Sequence, residues 1–386
     1  MIKYFKEIYE NRHTHAKDWK KKHPGAKILG YMCTYMPEEI LYAAGVLPVR
    51  LLGSHEPQNV TEPHIMGMFC PFCRDVLAQG LLGHYDYLDG VGVTHSCQHI
   101  TQSYESWVLH KDVKDFFIPT PNNMQTPHSL PYQRGQFKVF KDQVEEWTGK
   151  KISDDDLRRG IEIVDRTRRL MREIYEMRKS DNPPISAIDA MYMVVASQIA
   201  DKEKFNEILE DVLKKELPGR KVKDDPGIRL MMIGSENDDV KFVEMVEQLD
   251  ASIVVDDHCT GGRYFWNTTE GAGDPLTLIA DRYIKRPPCP IKDFPARNRI
   301  PHLIGLAEDW NVAGVIIIQQ KFCDPHELDK VAITDALNKA GSAPGSSEKS
   351  STCSSFKCGA YHQLVLSENG FHRNDLDPYL LPIPQV

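Results

Sequence analysis

The sequence predicts an α/β protein: two Rossmann-like open parallel-sheet domains joined by a helical segment. Two stretches, 27–125 and 226–340, alternate short apolar runs of strand length with segments of helix length, the rhythm of a parallel sheet with crossover helices. Between them the apolar residues fall at helical spacing. At roughly 150 residues per domain, a chain of 386 residues accommodates this plan. Its 41% apolar and 26% charged residues are ordinary for a protein with a buried core.

In chain order, Ala26–Met32 reads as the first strand. Pro37, Glu38 and Glu39 then open a helix, because proline suits a first turn and acids suit the positive end of the helix dipole. Val46–Leu52 is the next strand, followed by a helix over Asp75–Leu82, a strand at Leu88–Thr94 and a helix over Gln98–Leu109. In the middle region, Ser153 or a following Asp caps a helix with apolar positions Leu157, Ile161, Val164, Leu170, Ile174 and Met177. Pro183 and Pro184 stop it, two more helices run on towards Leu217, and the charged face of this region reads as solvated. Alternation then resumes: strand Ile228–Ile233, a helix through Leu249, strand Ser252–Val255, the continuous apolar run Val312–Ile318 of a central parallel strand, and helix Glu327–Ala340.

The expected divisions are an N-terminal α/β domain (1–129), a helical connector (130–225), a C-terminal α/β domain (226–341) and a tail (342–386). Ser342–Ser355 holds seven serines in fourteen residues, too little apolar surface to offset the entropy of ordering, so a flexible tail is expected.

Lys plus Arg number 47 against 55 for Asp plus Glu, a net charge of -8. That excludes phosphate-backbone binding as the main activity, so no nucleic-acid partner is expected. No run approaches the roughly 20 apolar residues of a membrane span. The N-terminal segment MIKYFKEIYENRHTHAKDWKKK lacks an apolar signal core, so a soluble, cytoplasmic protein is expected. Neither G-x-G-x-x-G nor G-x-x-x-x-G-K-[ST] occurs in the chain.

Nine cysteines in a long cytosolic chain argue against a disulfide framework. Ligands of open α/β sheets bind beyond the carboxyl ends of strands. There the sequence places Cys33, His95 to His99 with Cys97, Asp256 to Cys259 with His258, and Lys321 to His326 with Cys323. Cys70 and Cys73 stand before another helix, where the dipole stabilises thiolates. Read alone, this pair also fits half of a zinc site, a redox dithiol or two buried thiols. Cys70, Cys97 and Cys323 together draw on both sheets, and three thiolates leave one iron of a four-iron cube open. Cys33, Cys259 and Cys289 read as small buried residues. Gly261-Gly262-Arg263 reads either as an anion-binding turn or as an ordinary turn with a surface arginine.

Five motifs, in order, resemble the 2-hydroxyacyl-CoA dehydratase and benzoyl-CoA reductase family over residues 27–340. They are Tyr35-Met36-Pro37-Glu38-Glu39 with Ala43 to Pro48; Cys70-Pro71-Phe72-Cys73-Arg74; Leu88-Asp89-Gly90-Val91 with Ser96-Cys97; Asp256 to Phe265; and Lys321-Phe322-Cys323-Asp324-Pro325. Overall likeness within the family is to the C-type (gamma) subunits of ATP-dependent benzoyl-CoA reductases. The resemblance implies a [4Fe-4S] cluster held by Cys70, Cys97 and Cys323, with Cys73 as the alternative to Cys70. It implies a homologous second catalytic subunit, two activator-type subunits that hydrolyse ATP with Mg, a ferredoxin donor and an acyl-CoA substrate. The implied reaction is ATP-dependent two-electron reduction of benzoyl-CoA to cyclohexa-1,5-diene-1-carbonyl-CoA in anaerobic aromatic degradation. Its alternatives are ketyl-radical elimination of water from a (R)-2-hydroxyacyl-CoA, or a non-catalytic electron-relay role. His95, His99, His258 and His326 are the candidate proton donors. Beyond Gly341 the family continues with a further strand and helix, whereas this chain turns serine-rich, which fits either a disordered tail or a shifted reading frame.

Overall fold

A computed structural model describes residues 1–54, 58–341, 352–357 and 360–366. Two helices, α1 (Ile2–Glu10) and α2 (Arg12–Lys22), precede the first sheet. Neither was expected: α2 buries only Ala16, too little for a periodic apolar signal. The first sheet is built from β1 (Ile28–Tyr31), β2 (Leu47–Arg50), β3 (Gly90–Thr94) and β4 (Lys114–Ile118), all parallel, in the order β2-β1-β3-β4. Its crossovers carry α3 (Glu38–Ala44), α4 (Pro71–Leu81) and α5 (Gln98–His110). The strands β1 and β3 are buried at every position, as a sheet covered on both faces requires. The sequence reading missed β4, an edge strand with only Phe116 and Ile118 buried.

The connector consists of α6 (Ser129–Thr148), α7 (Asp154–Met177), α8 (Ala187–Ser197) and α9 (Lys202–Asp211). Ser153 caps α7 in a reciprocal arrangement with Asp156. The connector's charge is not all solvated. Arg168 and Asp165 are buried, and Arg168 pairs with Glu39 at 2.7 Å while Lys202 pairs with Glu38 at 2.9 Å. Both acids lie in the first turn of α3, where they serve the helix dipole and the buried cations together. The helices α7 and α3 approach so closely that a Cβ at Gly160 would lie 2.1 Å from the Glu39 carbonyl oxygen.

The second sheet begins with parallel strands β5 (Ile228–Gly234), β6 (Ala251–Asp257) and β7 (Gly314–Gln320), in the order β6-β5-β7. Around it lie α10 (Val240–Glu247), α12 (Arg299–Asp309) and α13 (Asp324–Gly341), whereas α11 (Pro275–Lys285) packs on α6 and α7 in the core shared with the first sheet. The helices α11 and α12 were not anticipated, although Asp274 as cap with Pro275 in the first turn is a legible start for α11. The sheet is not purely parallel. The strand β8 (Thr352–Lys357) pairs antiparallel with β9 (Ala360–Leu366), which pairs antiparallel with β7. Both lie in the stretch expected to be a flexible tail; the rest of 342–386 falls outside the described residues.

One core cluster takes in residues of both sheets, from Ile28 and Val91 to Ile233 and Ile317. The two sheets therefore share an apolar seam. Among the described residues, no helix is long and apolar enough to cross a membrane.

Candidate thiol centre at the seam of the two sheets

Each sheet has a switch point, where consecutive crossovers leave in opposite directions and open a crevice at the carboxyl ends of two strands. In the first sheet it lies between β1 and β3, in the second between β5 and β7. The chain leaves β1 into Cys33, β3 into His95 to Cys97, β5 into Ser235 and Glu236, and β7 into Lys321 to Cys323.

Each expected ligand stands directly before a helix. Cys70 is the cap residue of α4, Cys97 that of α5, and Cys323 immediately precedes α13. Cys73 lies within the first turn of α4. The turn into Cys323 is made by Phe322, which holds φ at 64° and donates its N–H to Glu327. A non-glycine residue in the left-handed region is strained backbone, found where surrounding structure over-determines a site.

The four thiols form a chain of neighbours across the seam. The Cys70 thiol interacts with those of Cys323 and Cys73, and the Cys73 thiol also with that of Cys97. Donation from Cys323 and Cys73, with the N–H groups of Cys73 and Phe72, holds the Cys70 thiol well below the ordinary cysteine range. Cys73 and Cys323 are pushed well above it, first by their hydrogen bonds to that sulfur. All seven cysteines from Cys33 to Cys323 are free. Among the described residues, no three of His, Cys, Asp and Glu converge as one metal ion would require.

The four histidines separate. His99 belongs to the thiol centre: its Nδ1 accepts the Cys70 N–H at 3.1 Å, and its Nε2 lies 3.7 Å from Asp324, beside Cys323. His326 is buried, with Nε2 3.8 Å from the Cys259 sulfur. Burial, then the Arg263 charge, hold it well below the ordinary histidine range. His258 is buried in a separate network with Thr260 (3.0 Å) and Asp256 (3.6 Å). His95 is half-buried, and its backbone carbonyl accepts from Lys292 Nζ at 2.8 Å.

Residues 33–344 match the family of the 2-hydroxyglutaryl-CoA dehydratase D-component. The chain belongs to this family. It is 27% identical to the (R)-phenyllactyl-CoA dehydratase beta subunit of Clostridium sporogenes, covering 87% of this chain and 90% of the relative. It is 25% identical to the C subunit of benzoyl-CoA reductase from Thauera aromatica, covering 84% and 86%. A third relative is the beta subunit of (R)-2-hydroxyglutaryl-CoA dehydratase from Acidaminococcus fermentans, 24% identical over 83% and 86%. The resemblance drawn from five motifs is thus shown at family level, and the relatives are subunits of both dehydratases and a reductase.

In this member of the D-component family, the Gly261-Gly262-Arg263 turn is neither a free anion site nor a surface feature. Arg263 is 1% exposed, and its guanidinium is spent on Asp257 at 2.8 Å, the Gly234 carbonyl at 3.1 Å and the Cys259 sulfur at 3.3 Å. The Gly262 N–H is given to Asp256 at 2.6 Å. A Cβ at Gly261 would meet that carboxylate at 2.1 Å, so the close turn demands glycine. Cys259 accepts from Arg263, yet burial pushes its thiol well up, as expected of a small buried neutral thiol.

Sequence reasoning missed Arg50, Glu236 and Lys292. Lys292, fully buried, donates to the His95 carbonyl and Thr120 Oγ1 at 2.8 Å each, and so ties the second half of the chain to the end of the first sheet. Arg50 had a signal: one cation inside the apolar run Val46–Leu52. Glu236 stands two residues past a strand end, among residue types other than the Cys, His and Asp that mark the remaining strand ends.

Proposed function

We propose that this chain is the iron–sulfur subunit of a two-chain enzyme that activates CoA thioesters by single-electron reduction. The observation that carries the reading is the meeting of four thiols from two sheets, with three expected ligands each at a helix start. Cys97, Cys323 and either Cys70 or Cys73 would hold a [4Fe-4S] cluster. When bound, such a cluster supplies one electron at low potential. The chain's own part is to present the thiols at helix starts, to exclude water by burial, and to fix Cys70 through His99. His99, bonded to the Cys70 N–H, and His326, 3.8 Å from the Cys259 sulfur, are the leading proton-donor candidates; His258 is committed to Asp256 and Thr260.

Elimination of water from a 2-hydroxyacyl-CoA is the first reading, since several of its relatives are named as dehydratase beta subunits. Reduction of benzoyl-CoA is the second, favoured by the likeness to the reductase chain of Thauera aromatica. Either reaction needs a related partner subunit and an ATP-hydrolysing activator fed by ferredoxin, in keeping with a chain that carries no phosphate-binding glycine loop of its own. Anaerobic purification with the partner should give brown protein with about four irons per cluster. Turnover of (R)-phenyllactyl-CoA against benzoyl-CoA then separates the two reactions. Colourless, iron-free protein of full activity would overturn the proposal.

A further inference from the structure

Arg50 ends β2 in the first sheet, and Glu236 follows β5 in the second. They meet across the seam, Nη2 to Oε1 at 2.5 Å. The Arg50 side chain is 1% exposed and that of Glu236 14%, so Glu236 borders the space beyond the strand ends. This pair is incomplete. Arg50 Nε and Nη1 and Glu236 Oε2 are buried, and none has a hydrogen-bond partner among the described residues. Three unmet polar atoms in one ion pair mark a missing ligand or water, because buried donors and acceptors are normally satisfied.

Both residues are held in place from elsewhere. The Arg50 N–H donates to the Gln198 carbonyl at 2.8 Å, and its guanidinium lies over the Tyr31 ring at 5.7 Å. The Glu236 carbonyl accepts from Gln320 Nε2 at 3.1 Å, and the Gln320 N–H goes to Ser235 Oγ at 2.8 Å.

The unmet atoms are two N–H donors beside one carboxylate acceptor. Their complement is a molecule with an acceptor oxygen and a hydroxyl donor on neighbouring atoms. A 2-hydroxyacyl thioester has both, on adjacent carbons; a benzoyl thioester has only the carbonyl. We propose that Arg50 and Glu236 bind the reacting end of a 2-hydroxyacyl thioester, Arg50 donating to the thioester carbonyl and Glu236 accepting from the 2-hydroxyl. This deepens the CoA-thioester reading above and rests on it. Burial lifts the Glu236 carboxyl to about 7 against the pull of Arg50.

The test is calorimetric binding to the anaerobic complex of this chain with its partner. The two probes are (R)-phenyllactyl-CoA and 3-phenylpropionyl-CoA, which lacks only the hydroxyl. The native complex should favour the hydroxy thioester at least about tenfold, because a site built for a hydroxyl rejects the analogue without one. Glu236→Leu should abolish that preference, read as the ratio of the two affinities in the same variant. The double variant R50M/E236L removes both charges together, which protects the fold. It should bind both thioesters equally and about tenfold more weakly than the native complex binds 3-phenylpropionyl-CoA. Preference retained in the folded double variant overturns the assignment. So does a native complex with no preference, the result expected if water alone fills the site. Iron and sulfide content, measured on the same samples, keeps the two readings apart. Iron-free protein that still discriminates sinks the cluster and leaves Arg50 and Glu236 standing; iron-loaded protein that does not discriminate does the reverse.

Discussion

Two groups of buried titratable side chains lie beyond the strand ends of this molecule, and they are built on opposite terms. At the end of β6, Asp257 has partners on both oxygens: the Arg263 and Arg299 cations on Oδ1 and His302 at 3.2 Å on Oδ2. Between β3, β7 and α4, the thiols of Cys70, Cys73, Cys97 and Cys323 have chiefly one another. In the first group every charge is answered, so it serves the fold. In the second, weak thiol hydrogen bonds leave soft donors available for metal. Burial and perturbed acidity are common to both groups; what separates them is unanswered donor capacity.

The largest expected effect falls on the saturated group. Asp257→Ala leaves Arg263 and Arg299 buried without their carboxylate and should cost about 3–5 kcal/mol in denaturant unfolding, with the thiol centre's iron affinity little changed once folded. The same group sets an acid dependence. Although burial raises the Asp257 pKa, Arg263 and Arg299 outweigh it and hold the carboxyl well below its ordinary value. Its stabilising contribution is thus fully present above the unfolded pKa of about 4. It fades as pH falls towards the folded value. A stability profile from pH 7 to 3 should be flatter for Asp257→Asn than for the native chain; parallel profiles would contradict this account.

The thiol group should behave in the reverse manner. Cys97→Ser and Cys323→Ser should each remove most of the bound iron, yet shift the stability of metal-free protein by no more than about 1 kcal/mol. A smaller and sharper contrast lies within the first motif. Cys70 caps α4 and has the lowered pKa, so Cys70→Ser should lose iron while Cys73→Ser retains it; the opposite pattern in iron analysis would exchange their roles. The smallest effect is expected at His99. His99→Ala strips the Cys70 N–H of its acceptor and should cost about 1 kcal/mol in thermal unfolding. If the melting temperature stays put while the iron spectrum changes, His99 acts on the metal rather than on the chain.

Much of this was legible from pattern alone. The runs around Leu29, Val91, Met231 and Ile316 became parallel strands because burial on both faces leaves no room for alternation. Ser153 capped its helix because the capping arrangement is local. Less legible were α2 and β4, where little apolar surface is buried, and the antiparallel pair β8 and β9, because β8 begins inside the serine-rich run. The thiols could be named because strand ends are where α/β sheets place ligands. Their order of contact, and the separation of His258 from His99, could not.

Local chemistry therefore determined which residues start helices, which runs enter sheets and which side chains carry reactive groups, since each depends on neighbours a few positions away in the chain. The tertiary structure decided what those groups meet. Arg50 and Glu236 are 186 positions apart, and Cys70 and Cys323 are farther still. Only the packing of two sheets on one apolar seam brings them within bonding distance, because hydrophobic burial fixes how surfaces join while sequence spacing is blind to it.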